Sequence, residues 1–253
     1  MAPEEVGPLL GVVTPGAYVV TVALAAGLGV VLCLEARRRP GPWRRWAAAG
    51  LGLVLFATAL SYVLALVVAG TFSAKTDLPL PLCDVAVLVA AAACWWQVPV
   101  LVELTYFWGL AGTLQAVVTP DLSAGFPHLV FFQYTIGHLG IVLAALFLVV
   151  GMGVRPRRGA APRVLLITAA YTAAVGLVDG LTGADYMFLR APPGNWTLLR
   201  VLGPWPFYVL SAAGVAVVLV TVLDIPFWRA RRLEAGTGGT ARHPGAGAAR
   251  PAA

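Results

Sequence analysis

The chain has 253 residues, of which 60% are hydrophobic and 11% charged, with a mean hydropathy of +0.86 and a net charge of +6. A water-soluble domain carries roughly 25% charged residues, so this composition excludes one and points to a polytopic membrane protein. The positive charge sits in short clusters between apolar runs, as topology signals do. It does not line one amphipathic face, which excludes a nucleic-acid-binding surface.

Seven apolar runs reach about the 20 residues a helix needs to cross a bilayer. They lack the alternation of a barrel strand. The fold class expected is all-α, a seven-transmembrane-helix bundle. In chain order the spans are placed at Gly16–Leu34, Trp46–Ala69, Leu78–Gln97, Val100–Val118, His128–Gly151, Arg163–Leu181 and Pro204–Leu223. The N-terminus, MAPEEVGPLL, is acidic and lacks a signal-peptide pattern, so the first helix is expected to stay in the membrane.

The first connection carries Arg37, Arg38, Arg39, Arg44 and Arg45; the fifth carries Arg155, Arg157, Arg158 and Arg163; the tail carries Arg229, Arg231, Arg232, Arg242 and Arg250. The even-numbered connections hold only Lys75, Arg190 and Arg200. Fourteen of the 17 basic residues therefore share one side. By the positive-inside rule that side is cytoplasmic, which puts the N-terminus outside and the C-terminus inside a multi-pass protein of the cell membrane. Residues 1–228 form the transmembrane domain. Residues 229–253, a basic Gly/Ala/Pro-rich cytoplasmic tail, are expected to be disordered.

Polar residues inside the spans collect near the face expected to be external. Cys83 and Asp84 lie early in span three, Gln115 late in span four, Gln133, Tyr134 and His138 in the first half of span five. Asp179 ends span six, Tyr186 lies in the loop after it, and Tyr208 opens span seven. Glu103 alone lies at the opposite end. Polar groups are costly in hydrocarbon and mark functional sites, so these residues predict one cavity open to the outer side. The long aromatic loop before span seven is placed to act as its lid.

His138 lies about 15 Å deep at 1.5 Å per residue. An imidazole there needs a hydrogen-bonding partner, and serves either as a catalytic group or as a link to a neighbouring helix. Cys83 follows Pro79 and Pro81, which suit a helix's first turn. The helix dipole there favours a thiolate, Asp84 beside it opposes one, and a packed apolar thiol is the alternative. Cys83 is shallower than His138, so a tilted or bent span is required to join them. Cys33, Cys83 and Cys94 match no metal-ligand spacing, and Cys83 lies too far from the other two for a disulfide. No metal or cofactor is expected.

The segments LPLPLCD, GTLQAVVTPDL, the His138 position, YMFL and GPWPFY together resemble the YwaF-type integral membrane proteins of bacteria, a family similar to the eukaryotic transmembrane protein 164 family. The resemblance covers Leu78 to Trp228; the first two spans match only in hydropathy. It implies seven helices and, through the eukaryotic relatives, cysteine-dependent transfer of acyl chains on phospholipids. Cys83 and His138 then fall on the family's cysteine and histidine as catalytic residues. Asp84, Gln115, Gln133, Tyr134, Asp179, Tyr186 and Tyr208 are the substrate-binding candidates, and the partners are membrane lipids with an acyl-chain substrate. The bacterial pattern often reads LPLHLC, and this chain has Pro81 at that histidine. Two functions remain: a lipid acyltransferase or hydrolase, and a non-catalytic protein that binds or transports a lipid or small polar solute. A proton-coupled carrier ranks last, because Glu103 is the one acid towards the inner leaflet. Oligomeric state is not encoded in any of these patterns.

Overall fold

The computed structural model describes residues 15–120, 122, 124–192 and 198–240. Among the described residues, seven main helices make an all-helical bundle: α1 Pro15–Arg38, α2 Trp43–Val68, α3 Leu82–Trp96, α4 Pro99–Val118, α5 Leu129–Gly151, α6 Ala160–Thr182 and α7 Phe207–Thr240. Six are long and apolar enough to cross a bilayer, and α3 is a shorter apolar helix of 15 residues. Side chains such as Leu24, Leu53, Leu166, Leu181 and Val218 stand more than half exposed. In water such a surface would aggregate; here lipid is the solvent.

Six of the seven helices both start and end within about four residues of the expected spans. Two differences bear on function. Helix α3 begins at Leu82, not Leu78, because prolines at 79 and 81 lack amide donors and force the residue before each out of helical geometry. Helix α7 continues to Thr240, past the boundary expected at Trp228; residues 241–253 of the expected tail lie outside the described residues.

Helices α2, α3, α4 and α5 build the core. Helix α3 is lined with Ala86, Ala90, Ala91, Ala93 and Cys94, all buried. These small residues let backbones approach closely, which is how helices associate in lipid without a hydrophobic drive. Gly52 of α2 sits so close to α3 that an added Cβ would lie 3.0 Å from the Ala91 carbonyl oxygen. A tight turn at Gln97, φ +50°, and the extended Val98 reverse the chain from α3 into α4. Helix α6 packs on α4, and α7 packs on α6 and on the middle of α4.

Two helices depart from α geometry. The α4 backbone widens to a π-helix over Trp108–Thr113, and α5 ends in a π-helical turn over Phe147–Gly151. Gly109, in the first of these, fits against Ile141 and Ala145 of α5.

The arginine-rich end is locked by Glu103, 1% exposed. Its Oε1 accepts from the Arg157 backbone amide at 3.1 Å and Nε at 2.8 Å; its Oε2 accepts from Arg157 Nη2 at 3.1 Å and Arg163 Nη1 at 2.7 Å. Arg231 of α7, paired with Asp224, donates to the Pro156 carbonyl. The buried acid ties α4 to the α5–α6 connection.

Candidate functional site

Residues 78–81 form an irregular strap ahead of α3, in which the Leu80 amide donates to the Leu78 carbonyl at 2.7 Å. Two tyrosines fasten it. Tyr186 Oη accepts from the Leu78 amide at 3.1 Å and donates to the Ala74 carbonyl at 2.9 Å. Tyr171 Oη, on α6, donates to the Leu80 carbonyl at 2.6 Å. The Pro81 carbonyl then receives the amides of Asp84 and Val85, which starts the helix. Cys83 and Asp84 thus occupy the first turn of α3 at a fixed place.

The register of α3 against α5 is set where a Cβ on Gly137 would lie 3.6 Å from Val87 Cγ2, one turn beyond Cys83. His138 therefore lies about one turn, roughly 5–7 Å, beyond Cys83 along the bundle, and one cavity spans that distance.

Between α2, the strap, α3 and α5 lies a cavity of about 610 Å³. Cys83, Asp84, Gln133, Tyr134 and His138 all line it, with Pro81, Val87 and Gly137. Phe56, Leu60, Tyr62, Leu88 and Val130 line it too and are themselves exposed, so the mouth opens sideways on the apolar flank of the bundle. Neither lysine nor arginine is among its described lining residues.

The local chemistry follows from the partners. His138 Nδ1 lies 2.8 Å from the Tyr134 carbonyl oxygen. A carbonyl only accepts, so Nδ1 carries the proton and the neutral ring keeps its lone pair on Nε2. The ring stacks on Tyr134 with centroids 4.1 Å apart, and Tyr134 Oη donates to the Ala116 carbonyl at 2.8 Å. Gln133 Nε2 donates to Ser61 Oγ at 3.1 Å, across to α2. The imidazole is thereby held in one tautomer and one orientation, with its basic nitrogen unused by this bond. At the other end of the cavity, Cys83 and Asp84 present the first turn of α3, against which the π-helical turn of α4 packs: a Cβ on Gly112 would lie 4.0 Å from Leu82 Cδ2.

The structure places the other four candidates outside the cavity. Gln115 turns back on its own helix, its Nε2 donating to the Ala111 carbonyl at 2.7 Å. Asp179 is buried at the end of α6, where its Oδ1 accepts the Tyr186 amide at 2.9 Å. Tyr186 fastens the strap as described, and Tyr208 Oη donates to the Phe188 carbonyl. Asp179, Tyr186 and Tyr208 brace the loop after α6, in which Met187 and Phe188 adopt left-handed φ of +58° and +55°. Tyr171 is absent from the sequence-derived set, because a tyrosine one helix away from a proline strap leaves no trace in hydropathy or spacing.

A model of the TMEM164 family matches residues 10–224. The chain belongs to the TMEM164 family. The match takes in the first two helices, which the motif resemblance from Leu78 onward did not cover. An uncharacterized protein of Treponema pallidum (strain Nichols) is 28% identical over 156 residues, which are 60% of this chain and 63% of that protein. The matched region is thus less than two thirds of that relative's length. No solved structure matches the chain. Membership of the TMEM164 family agrees with the polytopic helical architecture.

Proposed function

We propose that this TMEM164-family protein is a membrane acyltransferase or lipid hydrolase in which Cys83 is the nucleophile and His138 the general base. The observation that carries this reading is that both residues line one cavity, open sideways to lipid, with His138 Nε2 left unprotonated by the bond that Nδ1 makes to the Tyr134 carbonyl. The substrate class is an acyl ester of a membrane lipid. Its chain enters between α2 and α5 and lies along Phe56, Leu60 and Val130.

The chemistry balances with these two groups. His138 Nε2 takes the Cys83 thiol proton as Sγ attacks the ester carbonyl carbon. The tetrahedral intermediate expels the lipid alkoxide, which takes that proton from the imidazolium and leaves a Cys83 thioester. A second lipid hydroxyl, or water, then loses its proton to Nε2 and attacks the thioester. The new ester or acid departs and the thiolate recovers the proton. Desolvation by the apolar walls strengthens each of these contacts.

A non-catalytic lipid-binding role is the second reading, and Pro81 is the observation that favours it. The pyrrolidine ring lines the cavity where the bacterial pattern carries a histidine. Both readings predict a membrane-bound protein; they part on Cys83. In cells lacking the protein, lipid profiles should revert on complementation with the wild type and should not revert with Cys83→Ala or His138→Ala. General acid–base catalysis is worth about 10²–10⁴-fold, so His138→Ala should cut transfer by at least two orders of magnitude. Full complementation by Cys83→Ala would select the binding role.

A further inference from the structure

A second cavity, of about 360 Å³, runs between α1 and α5 and shares no lining residue with the first. Val22, Ala26, Val30 and Cys33 of α1 form one wall, and Leu139 and Val150 of α5 mark the two ends of the other. No hydroxyl, amide or charged side chain lines it. The stretch from Val22 to Cys33 covers about 16 Å of helix, and one leaflet holds about 15 Å of hydrocarbon. Val30 and Val150 are 59% and 38% exposed, so the groove is open along its length to the lipid.

The charge lies at the arginine-rich end of this groove. Residues 26, 30 and 33 share one face of α1, and the next position on that face, one turn beyond Cys33, is Arg37. The acids whose side chains are described at this end are already paired: Glu35 with Arg39 at 3.4 Å, Glu103 with Arg157 and Arg163, and Asp224 with Arg231. Arg37 and Arg38 make no ion pair among the described residues. After the turn, Trp43 packs on Phe147 with ring centroids 6.4 Å apart, which sets the first turn of α2 against the same end of α5. There Arg44 Nε is buried with no hydrogen-bond partner among the described residues. A buried donor left in that state calls for an acceptor.

We propose that this groove binds an anionic phospholipid of the leaflet at the arginine-rich end, with one acyl chain along α1 and α5 and the phosphate held by Arg37 and Arg44. The walls accept a hydrocarbon chain and nothing polar. The guanidinium groups supply donors in the planar fork that phosphate oxygens match. A net negative headgroup neutralises them, whereas a zwitterionic one brings its own cation. Helix α1 packs mainly on α5, and the lipid extends the contact that keeps it docked. The site is independent of the chemistry at Cys83.

Cys33 reports its occupancy. In a Cys83→Ala/Cys94→Ala background it is the sole thiol, and its labelling by a maleimide is followed in detergent-purified protein as phosphatidylglycerol or phosphatidylcholine is added. A basic residue near the headgroup is worth roughly a factor of five for an anionic lipid. Phosphatidylglycerol should therefore slow labelling at an amount at least about fivefold below the amount of phosphatidylcholine that does so. Arg37→Gln should narrow that gap about fivefold, and Arg37→Lys, which keeps the charge, should leave it nearly intact. Inorganic phosphate, which has no chain, should not change the rate. Equal protection by the two lipids, protection by neither, protection by phosphate alone, or a gap unchanged in Arg37→Gln would overturn the proposal. Protection that follows protein concentration and not lipid would place a second copy in the groove and overturn it as well.

Discussion

Replacing Gly52 by alanine should push α2 away from α3 and so disturb the wall of the cavity. A Cβ at position 52 would lie 2.8 Å from Trp95 Nε1, 3.0 Å from the Ala91 carbonyl oxygen and 3.1 Å from Cys94 Cβ. The second of these is backbone and cannot rotate aside. Overpacking of this kind costs about 1–3 kcal/mol. The shift also endangers the bond from Trp95 Nε1 to the Ala49 carbonyl, 3.1 Å long and worth about 1 kcal/mol. Against these stands the helix propensity gained on replacing glycine, about 0.8–1 kcal/mol. The net expectation for Gly52→Ala is a loss of about 1–3 kcal/mol. Gly50 is the internal control. It is two residues away on the same helix, and a Cβ there would meet nothing within 4 Å. Gly50→Ala gains propensity without a clash and should be stabilised by up to about 1 kcal/mol. The two variants should therefore differ by about 1–4 kcal/mol, or roughly 2–16 °C in Tm for a chain of this size. Thermal melts of both, purified in one detergent, read the difference directly. If Gly52→Ala melts at or above Gly50→Ala, the close α2–α3 contact is not what holds this side of the cavity.

Two further outcomes follow from the strap and from the charge pattern. Tyr171→Phe and Tyr186→Phe each remove an anchor of residues 78–81, and each should cost about 1 kcal/mol in a melt. Both should also broaden the environment of a spectroscopic probe on Cys83, while a probe on Cys94 stays unchanged; equal effects at the two cysteines would show that the strap does not set the start of α3. Reporter fusions at Ala160 and after Trp228 should report the cytoplasm and a fusion near Gly194 the exterior, from the fourteen basic residues on one side. An exterior C-terminus would reverse the bundle and place the cavity mouth in the other leaflet.

Hydropathy by itself determined the number of helices and most of their limits. A chain in lipid must satisfy every backbone group internally, so each run of about 20 apolar residues has helix as its one solution. The same logic picked out Cys83, Asp84, Gln133, Tyr134 and His138, because polar side chains are rare enough in such runs to be noticed individually. Which of them meet was decided by packing. Gln115 was expected in the cavity and instead bonds back to its own helix, while Thr113, two residues earlier on α4, is buried. A 3.6-residue period cannot foresee this, because the π turn at Trp108–Thr113 shifts the register of the residues that follow. Prolines 79 and 81 announced a helix start, yet the depth of that start depends on Tyr171 and Tyr186, contributed from about 90 and 110 residues away. Asp179 was conspicuous in sequence for the same reason as His138, and packing gave it a different task, bracing the loop beyond α6. Sequence sets the cost of burying each polar group in lipid, and the tertiary structure alone assigns the partner that offsets it.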